Sequence, residues 1–165
     1  MTKSVPGFKL RIEGTAGKCP IGEITGAQNM KEQTIPVMSC EGACIRGEIA
    51  RLAANMVAKE AGYRRGCHGE LFAVPDSAMA KWTQEAENVV VIDGCFLKCH
   101  GRIVKNLLEE GRMIQFDALK HHKKYSDLFD IDDVPEAERK AVARDVADSV
   151  LSELKARTQP RQKAA

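Results

Sequence analysis

The chain carries too little charge of one sign to argue for a nucleic-acid partner. Its 165 residues sum to +2 at neutral pH, whereas holding a phosphate backbone takes clustered cations. It has no apolar run of the roughly 20 residues needed to span a bilayer, which argues against a membrane role. Its first residues, MTKSVPGFKLRIEG, lack the apolar core of a secretory leader. These absences together point to a cytoplasmic protein. Thiols stay reduced in that compartment, so the six cysteines are better explained by metal or redox chemistry than by structural disulfides. A single cysteine can be a small buried hydrophobe; a set gathered at strand–helix junctions is not so easily dismissed. The length suits one domain with a sizeable core.

The most informative stretch is NVVVIDGCFLKCHGRIVKNLLEEG, residues 88–111. The β-branched run Val89–Ile92 reads as a buried strand. Asp93-Gly94 makes a sharp turn, and Cys95 and Cys99 follow at C-x-x-x-C spacing. Ile103, Val104, Leu107 and Leu108 then predict one face of a helix that stops at Gly111. Thiols at a helix start lie near unpaired amides and the positive end of the dipole, which favours the thiolate. A thiolate is both a metal ligand and a nucleophile.

An earlier segment follows the same plan. Residues 34–38 predict a strand, Cys40 and Cys44 repeat the C-x-x-x-C spacing, and Ile49, Leu52, Ala53, Met56 and Val57 form a helical stripe ending at Gly62. Between the two units lie Cys67 in RRGCHGE, a short apolar run at 71–74 readable as strand or helical turn, and a helix over about 77–87 bearing the only tryptophan, Trp82. A last strand is expected at 113–116. The alternation of Phe8, Leu10 and Ile12 with charged residues predicts a short strand near the N-terminus, and GTAGKCPIGEITG, with Cys19, reads as a loop. Residues 119–133 turn from basic to acidic. His121 and His122 stand there as candidate metal ligands, but adjacent residues seldom face one ion, so a solvated surface segment is the preferred reading. From Asp133 and Pro135 a final helix runs to about Lys155, with Val142, Val146, Val150 and Leu154 at four-residue spacing. It is expected to pack on the sheet or on a protein partner, a second copy included.

The chain thus divides into an N-terminal strand and loop extension (1–33), an α/β core (34–117), a charged linker and C-terminal helix of the same domain (118–157), and a tail (158–165) expected to be disordered. Strands separated by amphipathic helices predict a three-layer α/β fold with a mainly parallel sheet. In such sheets the functional crevice lies beyond the carboxyl ends of the strands, where both cysteine pairs fall.

Three chemistries are open there. Four thiolates can hold zinc, closed and structural, or leave a position for water and Lewis-acid chemistry. Thiolates also hold iron–sulfur clusters, although these spacings do not match the common ferredoxin runs. Finally, Cys40 and Arg46 form a C-x5-R string that resembles the phosphate loop of cysteine phosphatases and arsenate reductases. In that reading Cys40 attacks, Arg46 holds an oxyanion, and Asp93 donates a proton. Gly47 stands where those enzymes usually have Ser or Thr, and Cys95 and Arg102 are one residue too far apart to repeat the string. For Asp93 the plainest role is bracing its turn.

The string Ile92-Asp93-Gly94-Cys95 with Cys99, CEGACIRG upstream and GCHGE between them resemble the DGC domain family, named for its Asp-Gly-Cys motif. The resemblance covers roughly 34–117. It implies a small bacterial or archaeal protein of unassigned role, whose four family cysteines are expected to bind zinc. Matched residue by residue, these are Cys40 (in Cys40-Glu41-Gly42), Cys67, Cys95 and Cys99. Cys44 departs from the pattern, which leaves its membership of the ligand set open.

Overall fold

The computed structural model describes residues 7–121 and 128–158. In chain order the elements are α1 (Pro20–Lys31), β1 (Ile35–Ser39), α2 (Ile45–Val57), β2 (Tyr63–Arg65), α3 (His68–Ala73), α4 (Ala78–Glu85), β3 (Val89–Asp93) and α5 (Cys99–Val104). Then come a 3-10 turn at Lys105–Leu107, β4 (Met113–Asp117), α6 (Ala118–His121), a second 3-10 turn at Ile131–Asp133, and α7 (Glu136–Thr158). The strands form one sheet in the order β2-β1-β3-β4, every pairing parallel. The expected three-layer α/β architecture is therefore what the chain adopts.

The two faces of the sheet follow from the period of two along its strands. Val37, Val90, Ile92 and Phe116 point to one side. There they join Ile45, Ile49, Ala53 and Val57 of α2 and Ala143, Val146, Val150 and Leu154 of α7. Met38, Val89 and Val91 point to the other side, against Leu71 of α3 and Val104 beyond the β3 crossover. β3 is buried along its whole length, as expected of a central strand with helices on both faces. The four-residue stripe of α7 is consumed inside the chain, against α2.

Several local expectations are corrected. Residues 8–12 form no strand: Phe8, Leu10 and Ile12 are exposed, and no neighbouring strand pairs with them. The segment read as a loop around Cys19 instead opens a twelve-residue helix, with Cys19 as its cap accepting from the Gly22 amide at 3.4 Å. Of the two readings open for the run at 71–74, the helical one holds: residues 71–73 end α3 and Val74 caps it. β2, three residues with no apolar pattern, was not foreseen. The helix after Cys99 is only six residues long, and Ile103 and Leu107 are exposed, so the apolar stripe read there is not one buried face. His121 closes α6 at the surface, 3.7 Å from Glu153; His122 and most of the tail lie outside the described residues. Among the described residues no helix is long and apolar enough to cross a membrane.

Candidate functional site

The chain leaves β1 for β2 on one side and returns past β1 to place β3 on the other. The sheet order therefore reverses between β1 and β3, and a crevice opens beyond their carboxyl ends, the usual ligand position in sheets of this type. Cys40 is the first residue after β1, and Cys95 lies two residues past the end of β3. β1 and β3 are hydrogen-bonded neighbours, with Ser39 opposite Ile92. Cys67 follows β2 and precedes α3; Cys99 opens α5. The sequence-predicted thiols thus all lie along one edge. All six cysteines are free; Cys40, Cys44 and Cys95 are half-buried, and Cys19, Cys67 and Cys99 are exposed. Cys19 caps α1, and its own amide donates to Glu70 Oε1 at 3.2 Å.

The loops are held by backbone close to backbone. A β-carbon on Gly94 would lie 2.8 Å from the carbonyl carbon and oxygen of Arg46. One on Gly47 would lie 2.2 Å from the Gly42 carbonyl oxygen. The Cys40–Cys44 loop, the first turn of α2 and the Asp-Gly turn after β3 therefore pack with no room for a side chain. Within this packing the Cys40 sulfur accepts from the Gly42 amide at 3.4 Å. Burial pushes its thiol pKa up, and the amides of Gly42 and Gly94 only partly offset this.

Asp93 is a brace. Its buried carboxylate accepts from the Gly101 amide at 3.1 Å and from Gln115 Nε2 at 2.7 Å, so each oxygen is occupied. These bonds tie the start of α5 to the end of β3 and to β4. The helix itself is too short to build a large dipole, so the sequence-based argument for a thiolate at that helix start loses weight.

Sequence reasoning missed a polar cluster at this edge. The rings of His68 and His100 meet edge to face, 4.1 Å between centroids at 87°. Phe72 packs beside both. His68 Nδ1 lies 3.7 Å from Glu41 Oε1. The same oxygen accepts from Ser39 Oγ at 2.6 Å and from Arg65 Nη2 at 3.2 Å. The Nε2 atoms of His68 and His100 are both buried with no hydrogen-bond partner. The signal available in the sequence was the run Cys-His-Gly, present at 67–69 and again at 99–101.

This cluster gives the protein an acid-sensitive stability. Burial, reinforced by the neighbouring imidazole and the Arg65 guanidinium, lowers the His68 pKa to about 3. Between that value and the ordinary one the unfolded chain binds a proton that the folded chain does not. Stability must therefore fall as pH falls. From pH 7 to pH 5 the loss expected from His68 is about 2 kcal/mol. Urea denaturation of metal-free protein at the two pH values measures it, and His68→Gln should flatten the dependence. An unchanged slope in that variant would place the acid sensitivity elsewhere.

The donors at this edge are soft thiols and imidazoles, a chemistry suited to zinc. The two buried imidazole nitrogens without a hydrogen-bond partner are donors of a type that such an ion takes. As the side chains stand, no group of three or more His, Cys, Asp or Glu among the described residues is arranged to hold a metal ion. Ligation would require the loops to draw together. In comparisons with known proteins, a family model described as the DGC domain matches residues 36–146, a span that continues into α7 beyond the 34–117 read from the sequence. No curated protein and no solved structure matches the chain.

Proposed function

The chain belongs to the DGC domain family, and from the placement of its thiols we propose that it binds a metal ion, zinc, through cysteine side chains at the carboxyl edge of its sheet. The observation that carries this reading is the sheet order. It sets Cys40 and Cys95 at neighbouring strand ends on the topological switch point, with Cys67 and Cys99 at the starts of the flanking helices. Bound there, the metal clips the β1, β2 and β3 crossovers together; a ligand position left to water would add Lewis-acid chemistry.

Two features weigh against the oxyanion reading of Cys40 and Arg46. Burial disfavours the Cys40 thiolate that a nucleophile needs, whereas metal coordination deprotonates a thiol outright. Asp93, the acid of that reading, has both oxygens engaged in bracing α5 and β4. No specific feature favours an iron–sulfur cluster over zinc.

Elemental analysis of anaerobically purified protein, with alkylation before and after chelation, tests the proposal. About one zinc per chain is expected, with a subset of the thiols protected until chelator or denaturant is added. Iron with acid-labile sulfide, or no metal and six thiols reacting at once, would overturn it.

A further inference from the structure

Beside the Asp-Gly-Cys loop, an open groove of about 320 Å³ lies between α5 and β4, the last strand of the sheet. Three cations line it, Lys98, Arg102 and Lys105, and no carboxylate does. We propose that this groove binds a small organic anion, a phosphate monoester whose ester group is apolar. None of its lining residues is a thiol proposed to hold the metal, so the two sites stand or fall separately.

The charges are gathered by the local backbone. Lys98, Arg102 and Lys105 stand four and three positions apart, the spacing that puts side chains on one helical face. None of the three makes an ion pair among the described residues. Like charges at this spacing repel, and a bound anion relieves the repulsion. Lys98 also has left-handed backbone, φ 51° and ψ 38°. That conformation is unfavourable for a residue with a β-carbon, and such strain gathers at ligand clamps. Here it falls on a lysine that lines the groove. The attraction comes from side-chain charge, since α5 is too short to add a large dipole.

Part of the wall is fixed before any ligand arrives. It is formed by Gly101 and Gln115. A β-carbon on Gly101 would run into Gln115 Nε2 and the Asp93 carboxylate, so only glycine leaves this wall its shape. Asp93 accepts from the Gly101 amide and from Gln115 Nε2. The buried aspartate of the motif thereby holds both wall residues, and a preorganised wall loses little freedom on binding. Phe96, Leu97 and Met113 add apolar surface, and Phe96 and Leu97 are 67% and 55% exposed. Charge and size then select the ligand. A phosphate monoester carries about −1.5 to −2 at pH 7, and its oxygens suit the Arg102 fork as well as two ammonium groups. The volume lies at the small end of small-molecule sites, and the apolar side chains face the ester group.

Calorimetric titration of the full chain with phenyl phosphate, with and without chelator, tests the site. One ligand per chain is expected, with an affinity that falls as salt rises and is unchanged by chelation. Inorganic phosphate, which lacks the apolar group, and benzoate, which lacks the second charge, should each bind about fivefold more weakly or worse. Arg102→Gln and Lys105→Gln, both at exposed positions, should each weaken phenyl phosphate binding by about tenfold. Lys98→Asn should do the same while the melting temperature stays at or above the parent's, because asparagine tolerates left-handed backbone. Absence of saturable binding, equal binding of inorganic phosphate or benzoate, loss of binding on chelation, or undiminished binding in all three variants would overturn the proposal.

Discussion

Cys95→Ser is expected to abolish stoichiometric zinc and to lower the melting temperature by about 10 °C in metal-replete buffer. A serine hydroxyl does not ionise as a thiol does, so one ligand is lost from the loop at the end of the central strand. An ion that binds only the folded state stabilises it by RT ln(1 + [L]/Kd), about 4 kcal/mol at a thousandfold excess over Kd. For a chain of this size each kcal/mol shifts the midpoint by about 2–4 °C. Cys40→Ser should behave alike. Cys19→Ser is the control: Cys19 caps α1 by accepting from the Gly22 amide, and serine is a favoured residue at that position. That variant should keep its metal and its stability. Calorimetry with and without chelator reads all three. A folded, fully metallated Cys95→Ser protein would remove Cys95 from the centre and the ligand assignment with it.

Gly47→Ala is expected to cost about 3 kcal/mol or more, one of the largest effects available from a single methyl group in this chain. The added carbon would lie 2.2 Å from the Gly42 carbonyl oxygen and within 3 Å of that residue's nitrogen and carbonyl carbon. The obstacle is backbone, which cannot swing away as a side-chain end can. Overpacking of this kind typically costs 1–3 kcal/mol and occasionally more. The same displacement would push the Cys40 loop off Gly94, so zinc affinity should fall with stability. Gly69→Ala supplies the contrast. Nothing lies within 4 Å of its would-be β-carbon, and alanine in a helix is favoured over glycine by about 0.5–1 kcal/mol. Chemical denaturation should rank Gly69→Ala at or above the parent and Gly47→Ala far below it. Equal stability of parent and Gly47→Ala would mean that the three loop segments do not pack as described.

Legibility along the chain tracks how local the cause is. β3 was readable because four of its five buried residues, Val89 to Ile92, form an apolar, β-branched run. β1 and α2 were readable for similar reasons, and α7 because its stripe repeats every four residues. β2 was not, since Tyr63, Arg64 and Arg65 become a strand only by pairing with Ile35, Pro36 and Val37. α1 was misread because Gly22 and Gly26 look like loop residues. In the fold those glycines let the helix approach closely: a β-carbon at Gly26 would lie 2.3 Å from the Met79 nitrogen. Tertiary packing there overrides a poor helix propensity. Residues 8–12 show the opposite case, a strand-like alternation with no edge to join.

The sequence by itself determined the parallel α/β plan, the family, and the placement of cysteines just beyond strand ends, because apolar periodicity and the Asp-Gly-Cys string are local properties. It also carried Cys-His-Gly twice with nothing to distinguish the copies. Only the tertiary structure distinguishes them. In one copy the glycine faces open space; in the other a β-carbon would meet Gln115 and the Asp93 carboxylate. The fold also brings the two imidazoles, thirty-two positions apart in the chain, to a 4.1 Å contact. Crossovers of different length end on one edge of the sheet, and no spacing along the chain records which side chains that edge turns inward.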